Sequence, residues 1–218
     1  MTILREDKPK RIITIEPSSA AGFVLEWIGA TFLVWVVGVF LVTLQAVLGM
    51  IGLFALGASH ITAAWLLVLL AGITIGWLSG ILQSTVIGQT GKFLPGWQTA
   101  TLLGAVIGVP LALVANRLVG ASGLGLVRTA EIGLWLPLLV LLLSTSLAQG
   151  VVLFVQRRPV GWWVLASLVS GLVYAVLHSI FWPIAVAAQA SIQAAVLWHL
   201  LHTESRTEQN IEPIYAHR

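Results

Sequence analysis

The sequence contains no cysteine and few charged residues, and each shortage excludes a class of function. Without cysteine there is no disulfide framework, no thiolate metal site and no cysteine nucleophile. Charged residues make up 9% of the chain, whereas soluble domains carry roughly 25%. Aspartate occurs only at Asp7, so the apolar part of the chain has no acid for a Ser–His–Asp catalytic arrangement. These shortages argue against a soluble protein and against hydrolytic catalysis.

The uncharged residues form long apolar runs. Residues 27–91 carry no charge, and residues 93–116, 132–156 and 159–203 are also free of Asp, Glu, Lys and Arg. One helical crossing of a bilayer needs about 20 apolar residues, so these runs have room for two, one, one and two crossings. The sequence therefore predicts an all-α membrane protein with six transmembrane helices.

Turn-forming residues divide these runs into separate helices. The predicted helices cover 20–48, 62–87, 97–117, 130–155, 161–180 and 183–202. The far end of the first helix is left open, because Gly49, Gly52 and Gly57 follow one another closely. We expect one transmembrane domain over 21–203, with cytoplasmic tails at 1–20 and 204–218.

The basic residues predict the orientation of the chain. With six crossings, nine of the eleven fall on one side of the membrane and two on the other. The nine are Arg5, Lys8, Lys10, Arg11, Lys92, Arg157, Arg158, Arg206 and Arg218, and the two are Arg117 and Arg128. Lys and Arg concentrate on the cytoplasmic side. Both termini are therefore predicted to be cytoplasmic.

A short motif recurs three times along the chain. It reads Trp27-Ile-Gly-Ala30-Thr31, Trp97-Gln-Thr-Ala100-Thr101 and Trp163-Val-Leu-Ala166-Ser167. Gln83 and Gln149 each lie 14 residues before the second and third Trp. This pattern predicts three helical hairpins that enter the membrane from the same side, as parallel repeats. The three tryptophans are predicted to anchor the helices at the membrane–water interface, where amphipathic rings are common.

The glutamines of the repeat are predicted to join helices to one another. Gln83 should lie at the same depth as Thr101, and Gln149 at the same depth as Ser167. An amide facing a hydroxyl at equal depth can form an interhelical hydrogen bond of about 0.6–2 kcal/mol. The alternative is that the glutamines line a solute path.

The repeat resembles that of a group of small multi-pass bacterial membrane proteins of uncharacterised function. The resemblance rests on Gln149 followed by Trp162, Trp163 and Ser167, and on a last helix that ends Leu197-Trp-His-Leu-Leu. The chain departs from the group in its polar 89–92 connection and in the Gly that follows Gln149. The resemblance implies a bacterial inner membrane location. It transfers no activity and no catalytic residue.

Ionisable residues within the apolar runs are rare, and none forms a recognisable site. Glu26 falls in the first part of the first helix, where an acid favours the helix dipole. His60 and His178 are predicted near the outer face, and His199 and His202 near the inner face. Metal ligands must converge on one point, so no metal is expected. Ligation of a tetrapyrrole pigment by His178 or His199 is left open.

The function predicted from these patterns is a non-enzymatic accessory or structural subunit without a cofactor. Its expected partners are the lipid bilayer and either another membrane protein or further copies of this chain; nucleic acid is not among them. The alternative is a component that binds or transports a small solute or lipid. Such a component needs a polar cavity at mid-depth. The residues available to line one are Thr43, Gln45, Thr74, Ser144, Thr145, Gln189 and Gln193.

Overall fold

The computed structural model describes residues 19–121, 129–178 and 180–203, with side chains for all of these except 119–121 and 129–135. Within these ranges the structure is all-helical. The helices are α1 (Ala20–Ala55), α2 (His60–Gln89), α3 (Trp97–Ala121), α4 (Thr129–Val155), α5 (Val160–His178) and α6 (Trp182–His202). Each of the six is long and apolar enough to cross a membrane, which confirms the predicted helix number for the described residues. The predicted tails and Arg128 lie outside those residues.

Serine caps and left-handed glycines set the ends of the first two helices. The Ser19 hydroxyl accepts a hydrogen bond from the Gly22 amide at 3.1 Å, and the Ser59 hydroxyl accepts one from the Thr62 amide at 3.2 Å. These bonds satisfy amides that have no partner within the helix. Gly57 reverses the chain between α1 and α2 with φ +77°, a conformation that side chains disfavour.

The far end of the first helix, which the sequence leaves open beyond Leu48, lies at Ala55. Helix α1 continues through Gly49 and Gly52 to Ala55, for a total of 36 residues. Gly49 allows the Leu67 side chain of α2 to pack directly against the backbone of α1. At 1.5 Å per residue, α1 is about 54 Å long, longer than the roughly 30 Å hydrocarbon core of a bilayer. It must therefore tilt or extend beyond the hydrocarbon region.

The helices are arranged as a ring. Each packs against its neighbours in the chain, and α6 packs against α1. Consecutive helices run antiparallel, so the α2–α3 and α4–α5 connections lie at the same end of the ring. We call this end, near residues 90–96 and 156–159, the basal end. At the opposite end, Trp35 of α1 stacks on Tyr174 of α5 with ring centroids 5.5 Å apart.

Glycines bring α2, α3 and α4 into close contact. Gly72, Gly76 and Gly80 lie one turn apart on α2, and a Cβ on any of them would lie about 3 Å from α3. A Cβ on Gly104 of α3 would lie 2.5 Å from Thr145 Cα of α4. Small residues allow helix backbones to approach closely in membranes. The Gly-x-x-x-Gly spacing of Gly72, Gly76 and Gly80 is the sequence signal of this contact.

The three tryptophans of the repeat are core residues, and their assignment as interface anchors is wrong. Trp27, Trp97 and Trp163 are each at most 1% exposed and belong to one apolar cluster. The rings of Trp97 and Trp163 meet edge to face, with centroids 5.5 Å apart. These indole side chains point towards the interior of the helix ring and not outward to the lipid headgroups. Together with Phe23 they fill the basal end of the ring.

Candidate functional site

A cavity of about 150 Å³ lies inside the ring of helices, next to the tryptophan cluster, and most of its surface is apolar. Helices α1, α2, α3, α4 and α6 all contribute to its wall. Its polar residues carry hydroxyl or carboxamide groups: Thr31, Ser79, Gln83, Thr101, Thr145, Ser146, Gln149, Gln189 and Gln193. Its apolar residues include Val34, Trp35, Ile75, Leu138 and Leu142. The cavity is therefore amphipathic.

On one side of the cavity, a hydrogen-bond network joins helices α2, α3 and α4. The Gln149 amide donates to Gln83 Oε1 at 2.9 Å and to Thr101 Oγ1 at 2.8 Å. Gln83 Oε1 also accepts from the Trp97 indole N–H at 3.2 Å. The Thr101 hydroxyl in turn donates a hydrogen bond to the Trp97 carbonyl oxygen at 2.9 Å. Four residues from three helices thus hold one another in place.

This network differs from the predicted pairs. Gln83 and Thr101 come together as expected in depth, but they are joined through Gln149 and not by a direct hydrogen bond. The predicted pair of Gln149 and Ser167 is wrong, because the buried Ser167 Oγ has no partner among the described residues. Gln149 extends from α4 into the ring, towards α2 and α3, whereas Ser167 lies on α5. Equal depth did not specify which neighbouring helix the amide faces.

Of the three indole N–H groups in the repeat, only that of Trp97 has a hydrogen-bond acceptor among the described residues. Trp97 donates to Gln83, but the buried N–H groups of Trp27 and Trp163 have no partner among the described residues. The glutamine 14 residues before Trp163 is Gln149, whose amide is turned into the network described above. For Trp27, the corresponding place on α6 is taken by Leu197, which has no acceptor. The three motifs are therefore chemically unequal.

On the other side of the cavity, α6 contributes two amides one turn apart. Gln189 and Gln193 are buried, and both line the cavity. Gln189 is 3% exposed, and its Oε1 has no hydrogen-bond partner among the described residues. An unpaired buried acceptor is costly and calls for an explanation. A donor supplied by a bound molecule would satisfy it.

Of the seven residues that the sequence predicted as available to line a cavity, three line it and four do not. Thr145, Gln189 and Gln193 line the cavity. Gln45 and Thr74 instead bond to each other across α1 and α2, at 2.7 Å and 3.1 Å. Thr43 and Ser144 donate to carbonyls of their own helices, at 2.8 Å each. Thr31, Ser79 and Ser146 also line the cavity, although the sequence did not distinguish them from hydroxyls elsewhere on the helices.

No ionisable side chain lines the described cavity. The Glu26 side chain is exposed, and the histidines of the described ranges lie near helix ends. His178 packs on Tyr174 with centroids 5.2 Å apart, and His202 stacks on Trp198 at 3.8 Å. Among the described residues, no three His, Cys, Asp or Glu side chains come together as metal ligands. The cavity offers hydrogen bonds and apolar contact but no charge.

No protein-family model matches the chain, and no curated protein or solved structure matches it.

Proposed function

We propose that the protein binds a small uncharged solute within the membrane, as a solute-binding or transport component. The observation that carries this proposal is the buried Gln189 amide, which lines an amphipathic cavity with an unpaired acceptor oxygen. Polar groups are expensive in a membrane interior unless they are paired. A glutamine that only joins helices would bond to a side chain of the neighbouring helix, as Gln45 does with Thr74. Gln189 Oε1 has no such partner among the described residues.

The same cavity supports a non-enzymatic function. General acid–base catalysis needs a group that gains or loses a proton, and a Ser or Thr hydroxyl becomes a nucleophile when a neighbouring base activates it. The described lining residues supply amides, hydroxyls and apolar side chains. Such groups recognise and orient a neutral molecule, and we assign them that role.

Native mass spectrometry of the protein in mild detergent tests the proposal. We expect the wild-type chain to carry a neutral small molecule, and the Gln189→Leu, Gln193→Leu double variant to lose it. The matched control is Gln45→Leu, because Gln45 is an intramembrane amide outside the cavity. This control should retain the molecule. A stoichiometric second protein with no small molecule would instead support the accessory-subunit hypothesis, in which the chain packs against a membrane partner or against itself.

We further propose a bacterial inner membrane location, three parallel-repeat hairpins and cytoplasmic termini. The location rests on the resemblance to small bacterial membrane proteins. The orientation is supported by Lys92, Arg157 and Arg158, which fall in the two connections of the basal end, while Arg117 falls near the far end of α3. Under the positive-inside rule the basal end faces the cytoplasm.

Two single-cysteine variants test this orientation. Leu56 lies in the α1–α2 connection and is 85% exposed, and Phe93 lies in the α2–α3 connection and is 82% exposed. The native chain contributes no background because it lacks cysteine. In intact cells, an impermeant thiol reagent should label Leu56→Cys and leave Phe93→Cys unlabelled until the membrane is opened. The reverse pattern would contradict cytoplasmic termini, and labelling of both would contradict the crossing of α2.

A further inference from the structure

We propose that the solute carries a neutral amide-like group, with an N–H donor beside an acceptor oxygen, and that Gln189 binds this group. The inference rests on the proposed solute-binding function and specifies its ligand class. Primary carboxamides, lactams and ureas share this chemistry. The arguments come from the amide of Gln189, from the charge of the cavity and from its size.

The carboxamide oxygen of Gln189 has no hydrogen-bond donor among the described residues. This oxygen, Oε1, is buried. A carboxamide has a donor and an acceptor side by side, whichever way its two ends are turned. A ligand amide placed edge to edge with it can form two parallel hydrogen bonds. A ligand that has only acceptors leaves Oε1 unpaired.

The cavity favours a neutral ligand over a charged one. Its described wall contains no Asp, Glu, Lys, Arg or His side chain to neutralise an ion. Moving an unpaired charge out of water into an apolar site costs far more than moving a neutral polar group. The nearby amides of Gln193, Gln149 and Gln83 can contact additional polar atoms without requiring charge. A carboxylate or ammonium ligand is therefore disfavoured.

The size and the apolar wall of the cavity specify the rest of the molecule. The volume of about 150 Å³ equals that of an engineered protein cavity that binds benzene. Trp35, Leu138 and Leu142 form apolar wall, and the ring of Trp35 is held in place by stacking on Tyr174. The ligand thus has a compact apolar body about the size of one six-membered ring, with its amide edge directed to α6.

Four probes of similar shape test the proposal: benzamide, N,N-dimethylbenzamide, benzoate and toluene. Their dissociation constants are measured by ligand-observed NMR on the purified full-length protein. Protein-free micelles of the same detergent supply the background for partition, and the Gln189→Leu variant is measured in parallel. Benzamide should bind the wild type at least about tenfold more tightly than it binds this variant, since about 1.4 kcal/mol corresponds to tenfold. The dimethylated amide and benzoate should be at least about tenfold weaker than benzamide.

Controls separate the ligand class from the proposed function. Toluene should bind wild type and Gln189→Leu equally, and Gln45→Leu should bind benzamide as the wild type does. Equal binding of benzamide and toluene, or tighter binding of benzoate, would overturn the ligand class. If none of the probes binds saturably, as expected of a cavity that holds only water, the ligand class is also overturned. Native mass spectrometry decides solute binding separately, so a molecule of another class found there would leave the proposed function standing.

Discussion

Replacement of Trp97 by Ala should destabilise the protein by roughly 3–5 kcal/mol, the range measured for large aromatic residues in well-packed cores. The ring is 1% exposed and packs edge to face on Trp163. Its removal leaves a void at the basal end of the helix ring. It also removes the N–H group that donates to Gln83. Trp97→Phe should lose less, because it keeps an aromatic body in the same place.

The matched control is Trp77→Ala. Trp77 lies on α2 and is 54% exposed, so its ring projects towards lipid. Its replacement should cost less than about 1 kcal/mol, as for other surface substitutions. Unfolding in mixed micelles with increasing SDS, followed by circular dichroism, measures both. If the two variants were equally stable, the burial of Trp97 would not contribute to stability, and interface anchoring would again explain the motif.

The recurrence of these tryptophans could be read from the sequence, but the direction of their side chains could not. In a soluble helix, the polar face identifies the side that faces water. A transmembrane helix is apolar towards lipid and apolar towards its neighbours. Trp27 and Trp162 therefore look equally suited to either environment, although the structure buries the first and exposes the second. Hydropathy alone does not separate the two.

Helix number and most helix ends were predictable because charged residues, Gly and Pro mark the connections. The exception is the end of α1, where Gly49 and Gly52 lie within the helix. Glycine is frequent in transmembrane helices, where neighbouring helices can use the space that it leaves. At Gly49 that space is taken by Leu67. A glycine cluster is thus a weaker stop signal in lipid than in water.

The cavity was predictable only in part. Gln189 and Gln193 could be recognised as amides at mid-depth, one turn apart on one helix. Their position inside a closed ring depends on the contact between α1 and α6, which are far apart in sequence. The partner of Gln149 likewise depends on how α4 is rotated within that ring. Local patterns specify depth along a helix but not rotation about its axis.

The close approach of α3 and α4 gives a second large expected effect, at Gly104. An Ala side chain there would place its Cβ 2.5 Å from Thr145 Cα and 2.9 Å from the Ser144 carbonyl oxygen. Both obstacles are backbone atoms, so a change of rotamer gives no relief. The helices must separate, and overpacking of this kind costs about 1–3 kcal/mol. This loss should exceed the gain of roughly 1 kcal/mol that Ala brings to a helix interior relative to Gly.

A graded set of alanine variants isolates this steric effect from helix propensity. A Cβ on Gly108 would lie 3.0 Å from Leu141 Cδ1 and Ser144 Cβ and 3.2 Å from Leu141 Cα, and one on Gly88 would meet no atom within 4 Å. In SDS unfolding, Gly88→Ala should be as stable as the wild type or slightly more stable. Gly108→Ala should fall between Gly88→Ala and Gly104→Ala, because its new Cβ would meet α4 at 3.0–3.2 Å and not at 2.5–3.0 Å. If Gly104→Ala were stabilising like Gly88→Ala, the α3–α4 backbones would not be in contact, and the network of Gln83, Thr101 and Gln149 would lose its support.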